Sequence, residues 1–258
     1  MHQQIFFYQL SVIIVLSHGA FPDYTPFTYP DSITQSQLCG QPKPSFFCDP
    51  NNVVNKTEKT INSTEIYVEL DNELLSVRGE TNCTCLLPEK CSRTRFGTTI
   101  SVAVVQKMHL ESDETSRKLI LDAAKIFANT VRNRQNRGQC DDDILIFLSV
   151  ADEVLWVSMG DAVDVNQVDI QRISEQGEIF FKKAQYEEGL KWMVQQYKHV
   201  LKGEQIERLW NWPLPEWAVL VIVIIILIII ASLMCSIIYM CIRFCRRDRR
   251  DEYSMVDH

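Results

Sequence analysis

The sequence predicts an α/β domain, a small sheet flanked by helices, followed by one membrane-spanning helix near the C-terminus. Strand-like and helix-like stretches alternate between residues 98 and 202, the pattern of a sheet layered with helices. Residues 144–150 form a continuous apolar run, as a strand covered on both faces requires. Residues 217–242 contain no charge, and 219–230 are Val, Ile and Leu alone.

Taken in order, the chain opens with an apolar stretch at 5–16, interrupted by Tyr8, Gln9 and Ser11. It is too short to cross about 30 Å of hydrocarbon. Ser17 and Gly19 suit small-x-small cleavage, so residues 1–19 read as a signal peptide, although His2 replaces the usual Lys or Arg. Residues 20–45 hold five of the nine prolines with Phe21, Tyr24, Phe27 and Tyr29 between them, which reads as an extended arm. The globular pattern covers 46–202. Asn55 can cap a helix to about Val77, with Ile61, Leu70 and Leu74 on its apolar side. A cysteine-rich loop at 80–96 leads into the β-branched strand 98–106.

The clearest helix opens at Ser112, Asp113 and Glu114. Leu119, Ile120, Ala123, Ala124, Phe127 and Val131 recur at three-to-four spacing, and Gly138 is expected to stop it. Arg132, Arg134 and Arg137 at its C-terminal end suit the helix dipole. Ala151 and Asp152 then turn 144–150 back into a second strand at 154–159, a hairpin. Two more helices follow. One starts near Asn166, and the other buries Leu190, Met193, Val194, Tyr197, Val200 and Leu201.

A linker at 203–216 precedes the membrane helix at 217–242. Trp210, Trp212 and Trp217 form an interfacial aromatic group on one side, and Tyr239 stands near the other. Arg243, Arg246, Arg247, Arg249 and Arg250 follow the apolar run, so the tail 243–258 is expected in the cytoplasm and the N-terminal domain outside the plasma membrane. The helix has no Gly; Ala231 and Ser232, with Ser236, form its only small-residue patch.

The nine cysteines agree with this topology. Cys39, Cys48, Cys83, Cys85, Cys91 and Cys140 fall outside, an even number in an oxidising compartment, so three disulfides are expected, their connectivity open. Cys83 and Cys85, one residue apart, are poorly placed to bridge each other. The Cys-x-Cys spacing is also wrong for zinc. Cys241 and Cys245 beside the Arg cluster suit S-palmitoylation. Sequons at Asn55, Asn62 and Asn82 mark glycosylation sites on the same outer side.

Chemistry is sparse. Asp141, Asp142 and Asp143 form the only dense acidic cluster, with Asp152, Asp161 and Asp164 near the hairpin. Oxygen ligands there could hold a divalent cation, yet no EF-hand spacing is present, and a solvated loop is the expected state. His109 and His199 stand alone, and no nucleophile elbow, P-loop or HExxH occurs. No cofactor or metal site is expected. The net charge of −7, with no basic face, gives no nucleic-acid footprint.

Several of these segments resemble the TPM domain family in their order. They are Cys48-Asp49-Pro50-Asn51 before a helix, TTISVAVVQKM at 98–108, the hairpin GQCDDDILIFLSVADEVLWVSMG at 138–160, and Tyr186-Glu187-Glu188-Gly189-Leu190 opening the last helix. The resemblance covers about 46–202 and implies the same α/β fold. It is nearest the animal branch, similar to the nematode modulator of levamisole receptors, in which such an ectodomain is joined to one C-terminal membrane helix. That resemblance implies a non-enzymatic auxiliary subunit of a ligand-gated channel, an acetylcholine receptor at the synapse. Plant members imply the other reading, a metal-dependent phosphatase, here an ectophosphatase; a surface glycoprotein with an unrelated partner is the third. Asp143 stands where the family has Gly, and Gly160-Asp161-Ala162 departs from its G-y-G, which weakens transfer of any metal or phosphatase site.

Overall fold

The computed structural model describes residues 23–54, 63–91, 97–110, 116–206 and 216–254. The chain divides into two compact units, Met1–Glu207 and Arg208–His258.

The first unit is a four-stranded sheet covered by helices. Its strands are β1 (Phe47–Cys48), β2 (Thr99–Val105), β3 (Asp143–Ser149) and β4 (Val154–Met159), lying side by side in that order. The first three run parallel, and β4 returns antiparallel to β3. Every residue of β2 and β3 is buried, which is why these strands carry apolar runs rather than alternation. The helices are α1 (Ser63–Glu80), α2 (Arg117–Gln135), α3 (Gln167–Phe181) and α4 (Tyr186–Leu201). In the register, Ala103, Phe147 and Trp156 are cross-strand neighbours, as are Val105, Ser149 and Val154. Ala103, Val105, Leu145, Phe147 and Val154 pack with Ala124, Phe127, Ala128 and Val131 of α2. The alternate strand residues turn to the other face, where α1 lies on β2, α3 on β4, and α4 against both helices.

Local signals explain the boundaries. Ser116 caps α2 by accepting from the Leu119 N–H at 3.3 Å. The expected start at 112–114 lies outside the described residues. The stop is not Gly138. Asn136, in the left-handed conformation at φ 45°, ends the helix. Gly138 serves a different purpose, since a Cβ there would lie 2.8 Å from the Asp142 amide. Asn166 caps α3 as expected, accepting from the Asp169 N–H at 2.9 Å. Helix α1 is described from Ser63, and the predicted start at Asn55 is outside the described residues.

The proline-rich segment corrects a second expectation. It is packed, not an extended arm. Tyr29 is 1% exposed and its ring meets Phe127 edge-on at 5.6 Å. Its hydroxyl donates to the Cys48 carbonyl at 2.7 Å. Tyr24 bridges to Met108, and a short 3-10 turn at Ser36–Cys39 leads to the Cys39–Cys48 disulfide. Arg134 and Arg137, expected merely to oppose the helix dipole, hold this segment: Arg134 donates to the carbonyls of Phe27 and Tyr29, and Arg137 pairs with Asp31 at 2.9 Å. Proline prevents regular pairing but not burial, and the interleaved aromatics supply the buried area.

The second unit is the helix α5 (Glu216–Ser254). Its stretch Leu220–Arg243 is long and apolar enough to cross a membrane, with none of it buried against protein. Twenty-four residues rise about 36 Å, more than the hydrocarbon thickness. Ser232 and Ser236 return their hydroxyls to the carbonyls of Ile229 and Ser232 at 2.8 and 2.9 Å, which satisfies them without a partner helix.

Candidate functional site

Polar residues gather at both ends of the sheet. At the carboxyl ends of the parallel strands, where open α/β sheets bind ligands, Asp49, Asn51 and Asp152 come together from separate loops. Asp49 accepts from the amides of Val53 and Val54 at 3.0 and 2.9 Å. Asn51 accepts from the Gln106 amide at 2.9 Å. Asp152 accepts from the Met108 amide at 2.8 Å and from the Ser149 hydroxyl at 2.5 Å. Asp49 thus caps its own loop, while Asn51 and Asp152 each fix one loop to the next. Sequence reasoning named Asp152 and the Asp49-Pro50-Asn51 segment separately, but nothing in it grouped them at one end of the sheet.

Beside Asp152 lies a cleft of about 390 Å³, lined among others by Arg117, Glu153, Glu178, Phe181 and Tyr186. Phe181 and Tyr186 stack at 6.2 Å, and burial, helped by the charge of Glu153, pushes the Tyr186 phenol up. Two residues on its rim, Glu153 and Ala184, have positive φ of 50° and 57°. The cleft mixes both charges with aromatic surface.

At the opposite end, the acidic cluster is not the solvated loop that its composition predicts. Asp142 is 0% and Asp143 2% exposed. The Arg132 guanidinium, reaching from α2, donates to Asp141 at 2.5 Å and to Asp143 at 2.8 Å, while its Nε donates to Ser158 at 3.1 Å. Asp142 accepts from the Gln139 and Cys140 amides and the Gln139 side chain. The Asp161 N–H and Arg132 hold the Asp141 carboxyl below its usual range. Burial raises Asp143 against the pull of Arg132, and its second oxygen has no hydrogen-bond partner. The positive charge facing this cluster is therefore Arg132, the residue that sequence periodicity placed only at a helix end. Gly160 closes the site, because a Cβ there would lie 1.9 Å from the Asp141 carbonyl. Elsewhere, His199 pairs with Glu204 on the surface.

All six cysteines of the first unit form disulfides: Cys39–Cys48, Cys83–Cys91 and Cys85–Cys140. The last joins the cysteine-rich loop to the residue preceding the acidic cluster. Asn82 is exposed, whereas Asn55 and Asn62 lie outside the described residues. Cys241 is a free, exposed cysteine of α5; the side chain of Cys245 lies outside what is described.

The chain is similar in part to three solved bacterial structures. The N-terminal domain of a protein from P. gingivalis is 15% identical over 73% of this chain and 99% of its own, with a TM-score of 0.45. A protein of the psychrophile Bizionia argentinensis is 14% identical over 58% of this chain and 88% of its own, with a TM-score of 0.38. The N-terminal domain of a Corynebacterium glutamicum protein is 5% identical over 58% and 79%, with a TM-score of 0.35. No curated protein matches the chain. Over residues 24–153, half of its length, it matches the family described as modulator of levamisole receptor-1.

Proposed function

The chain belongs to the modulator of levamisole receptor-1 family, and from that premise we propose that it is a membrane-anchored auxiliary protein that modulates an ionotropic acetylcholine receptor of the levamisole type, or a related ligand-gated channel. The family match carries the reading. The apolar helix α5 and the three disulfides support it, since the first anchors a chain in a membrane and the second belong to an oxidising compartment. Residues 1–19 are then a signal peptide, 20–216 lie outside the plasma membrane at the synapse, and 243–258 face the cytoplasm under the five Arg residues after Ile242. Asn55, Asn62 and Asn82 carry glycans, and Cys241 and Cys245 carry palmitoyl chains.

An auxiliary protein shifts gating by binding the open and closed channel with different free energies. A coupling of about 1–3 kcal/mol changes the equilibrium by roughly 5- to 150-fold. The cleft beside Asp152 and the membrane helix are the two surfaces from which such a difference would come. Co-expression with levamisole-sensitive receptor subunits in oocytes is expected to change agonist-evoked current or sensitivity, with no current from this chain alone. Unchanged currents despite normal surface delivery with every such receptor of the same cells would overturn the proposal.

A further inference from the structure

Two of the disulfides stand side by side. Cys83, Cys85 and Cys91 place their Sγ atoms within 4.8 Å of one another, although Cys83 is bonded to Cys91 and Cys85 to Cys140. Cys85, Cys140 and a carboxylate oxygen of Asp142 form a second group within the same distance. All four cysteines are half-buried, whereas Asp142 is fully buried. A thiolate released at Cys91 is therefore already beside the sulfur of Cys85.

We propose that the Cys83–Cys91 bridge is a thiol-exchange site for a low-molecular-weight thiol, and that its opening is relayed to the Cys85–Cys140 bridge. In the first step the thiolate of the incoming molecule bonds to Cys83 Sγ, the Cys83–Cys91 bond breaks, and the electron pair leaves on Cys91. In the second, Cys91 Sγ bonds to Cys85 Sγ, the Cys85–Cys140 bond breaks, and the pair leaves on Cys140. The proton lost by the incoming thiol ends on Cys140 through solvent. Two S–S bonds exist before and two after, so no oxidant or reductant is consumed.

Asp142 sets the order of events. Its charge beside Cys85–Cys140 repels an approaching thiolate and disfavours a thiolate on Cys140. Direct attack thus falls on the other bridge, and the relayed state returns readily to the native pairing. Attack on Cys91 instead leaves Cys83 facing Cys85 across one residue, a poor bridge. Release of Cys140 frees the segment that presents Asp141 and Asp143 to Arg132, coupling the exposed loop to the edge of the core.

The test uses the full-length protein in detergent, exposed briefly to glutathione, quenched with N-ethylmaleimide and mapped without reduction, with fragmentation between Cys83 and Cys85. Expected together are glutathione on Cys83, a Cys85–Cys91 link and maleimide on Cys140, in comparable amounts, with Cys39–Cys48 intact. Maleimide on Cys140 without the Cys85–Cys91 link, maleimide on Cys91 with Cys85–Cys140 intact, or no reaction at any of the four would overturn the proposal. Asp142→Asn keeps every sulfur and an acceptor for the Gln139 and Cys140 amides. It is expected to speed the appearance of Cys140 several-fold, and an unchanged or slower rate counts against the relay.

Discussion

Arg132 shows how one side chain settles the state of its neighbours. Its side chain is 10% exposed and neutralises a carboxylate, Asp143, that is 3% exposed. Removing one member of a buried ion pair leaves the other charge desolvated and costs about 3–5 kcal/mol. Arg132→Met should therefore lower the thermal midpoint by ten degrees or so, taking roughly 2–4 °C per kcal/mol for a domain of this size. Lys at the same position should recover part of the loss, because it restores charge without the fork that reaches both carboxylates and Ser158. The pH dependence follows from opposite shifts. Asp141 is lowered, so its contribution is present above the ordinary Asp range near pH 4 and is lost as pH falls through its lower value. Asp143 is raised, so the stabilisation from its protonated form is present below that range and is lost as pH rises through its higher value. Asp141→Asn should flatten the acid limb of a midpoint-against-pH curve, and a limb as steep as the parent's would contradict this. The acidic run was visible in sequence; its burial was not. Nothing in local pattern ties residue 132 to residues 141 and 143 before the fold brings the helix end over the strand start.

At the scale of elements, the long helix, the strand at 98–106 and the hairpin were legible from apolar runs and period, whereas the two-residue β1 was not. The structure differs where tertiary contact overrides composition. Proline spacing suggested an arm at 20–45, yet Tyr24 packs on Tyr29, and Tyr29 on Phe127. Tyr29→Ala should cost about 3–5 kcal/mol, as deletion of other buried large aromatics does. An unfolding midpoint within a degree of the parent would show that the segment is peripheral after all. The α3–α4 turn offers the converse experiment. Ala184 sits at φ 57°, a position that favours glycine, where the Gln185 amide bonds the Phe180 carbonyl at 3.0 Å. Ala184→Gly is expected to gain about 0.5–1 kcal/mol, since relief of the left-handed strain exceeds the added chain entropy. A loss of stability on calorimetry would mean that the turn is not strained.

For the whole molecule, the main expectation is a modulator and not a catalyst. The carboxylates at both sheet ends are engaged in holding loops together. The purified protein should therefore hydrolyse a generic phosphate ester no faster than background, with or without added divalent cation. A chelator-sensitive rate abolished by Asp143→Asn would reverse that expectation. The candidate cleft was the least legible feature of all. Its walls come from five separate elements, and Arg117, Glu153 and Tyr186 carry no spacing that would group them in advance.

The disulfide pattern also has a timetable. Cys39–Cys48 and Cys83–Cys91 span 9 and 8 residues, whereas Cys85 waits for a partner 55 residues downstream. Ribosomes add about 5–20 residues per second, so Cys85 spends roughly 3–11 s without its mate while two nearer sulfurs are already at hand. The chain emerging from the ribosome must pass through that interval with β3 still unmade, and the central strand of the sheet arrives together with the sulfur that ends the wait. Correct pairing and the joining of β3 to the sheet thus fall together in the life of each new molecule, and oxidation that comes too early traps the cysteine-rich loop before the fold can instruct it.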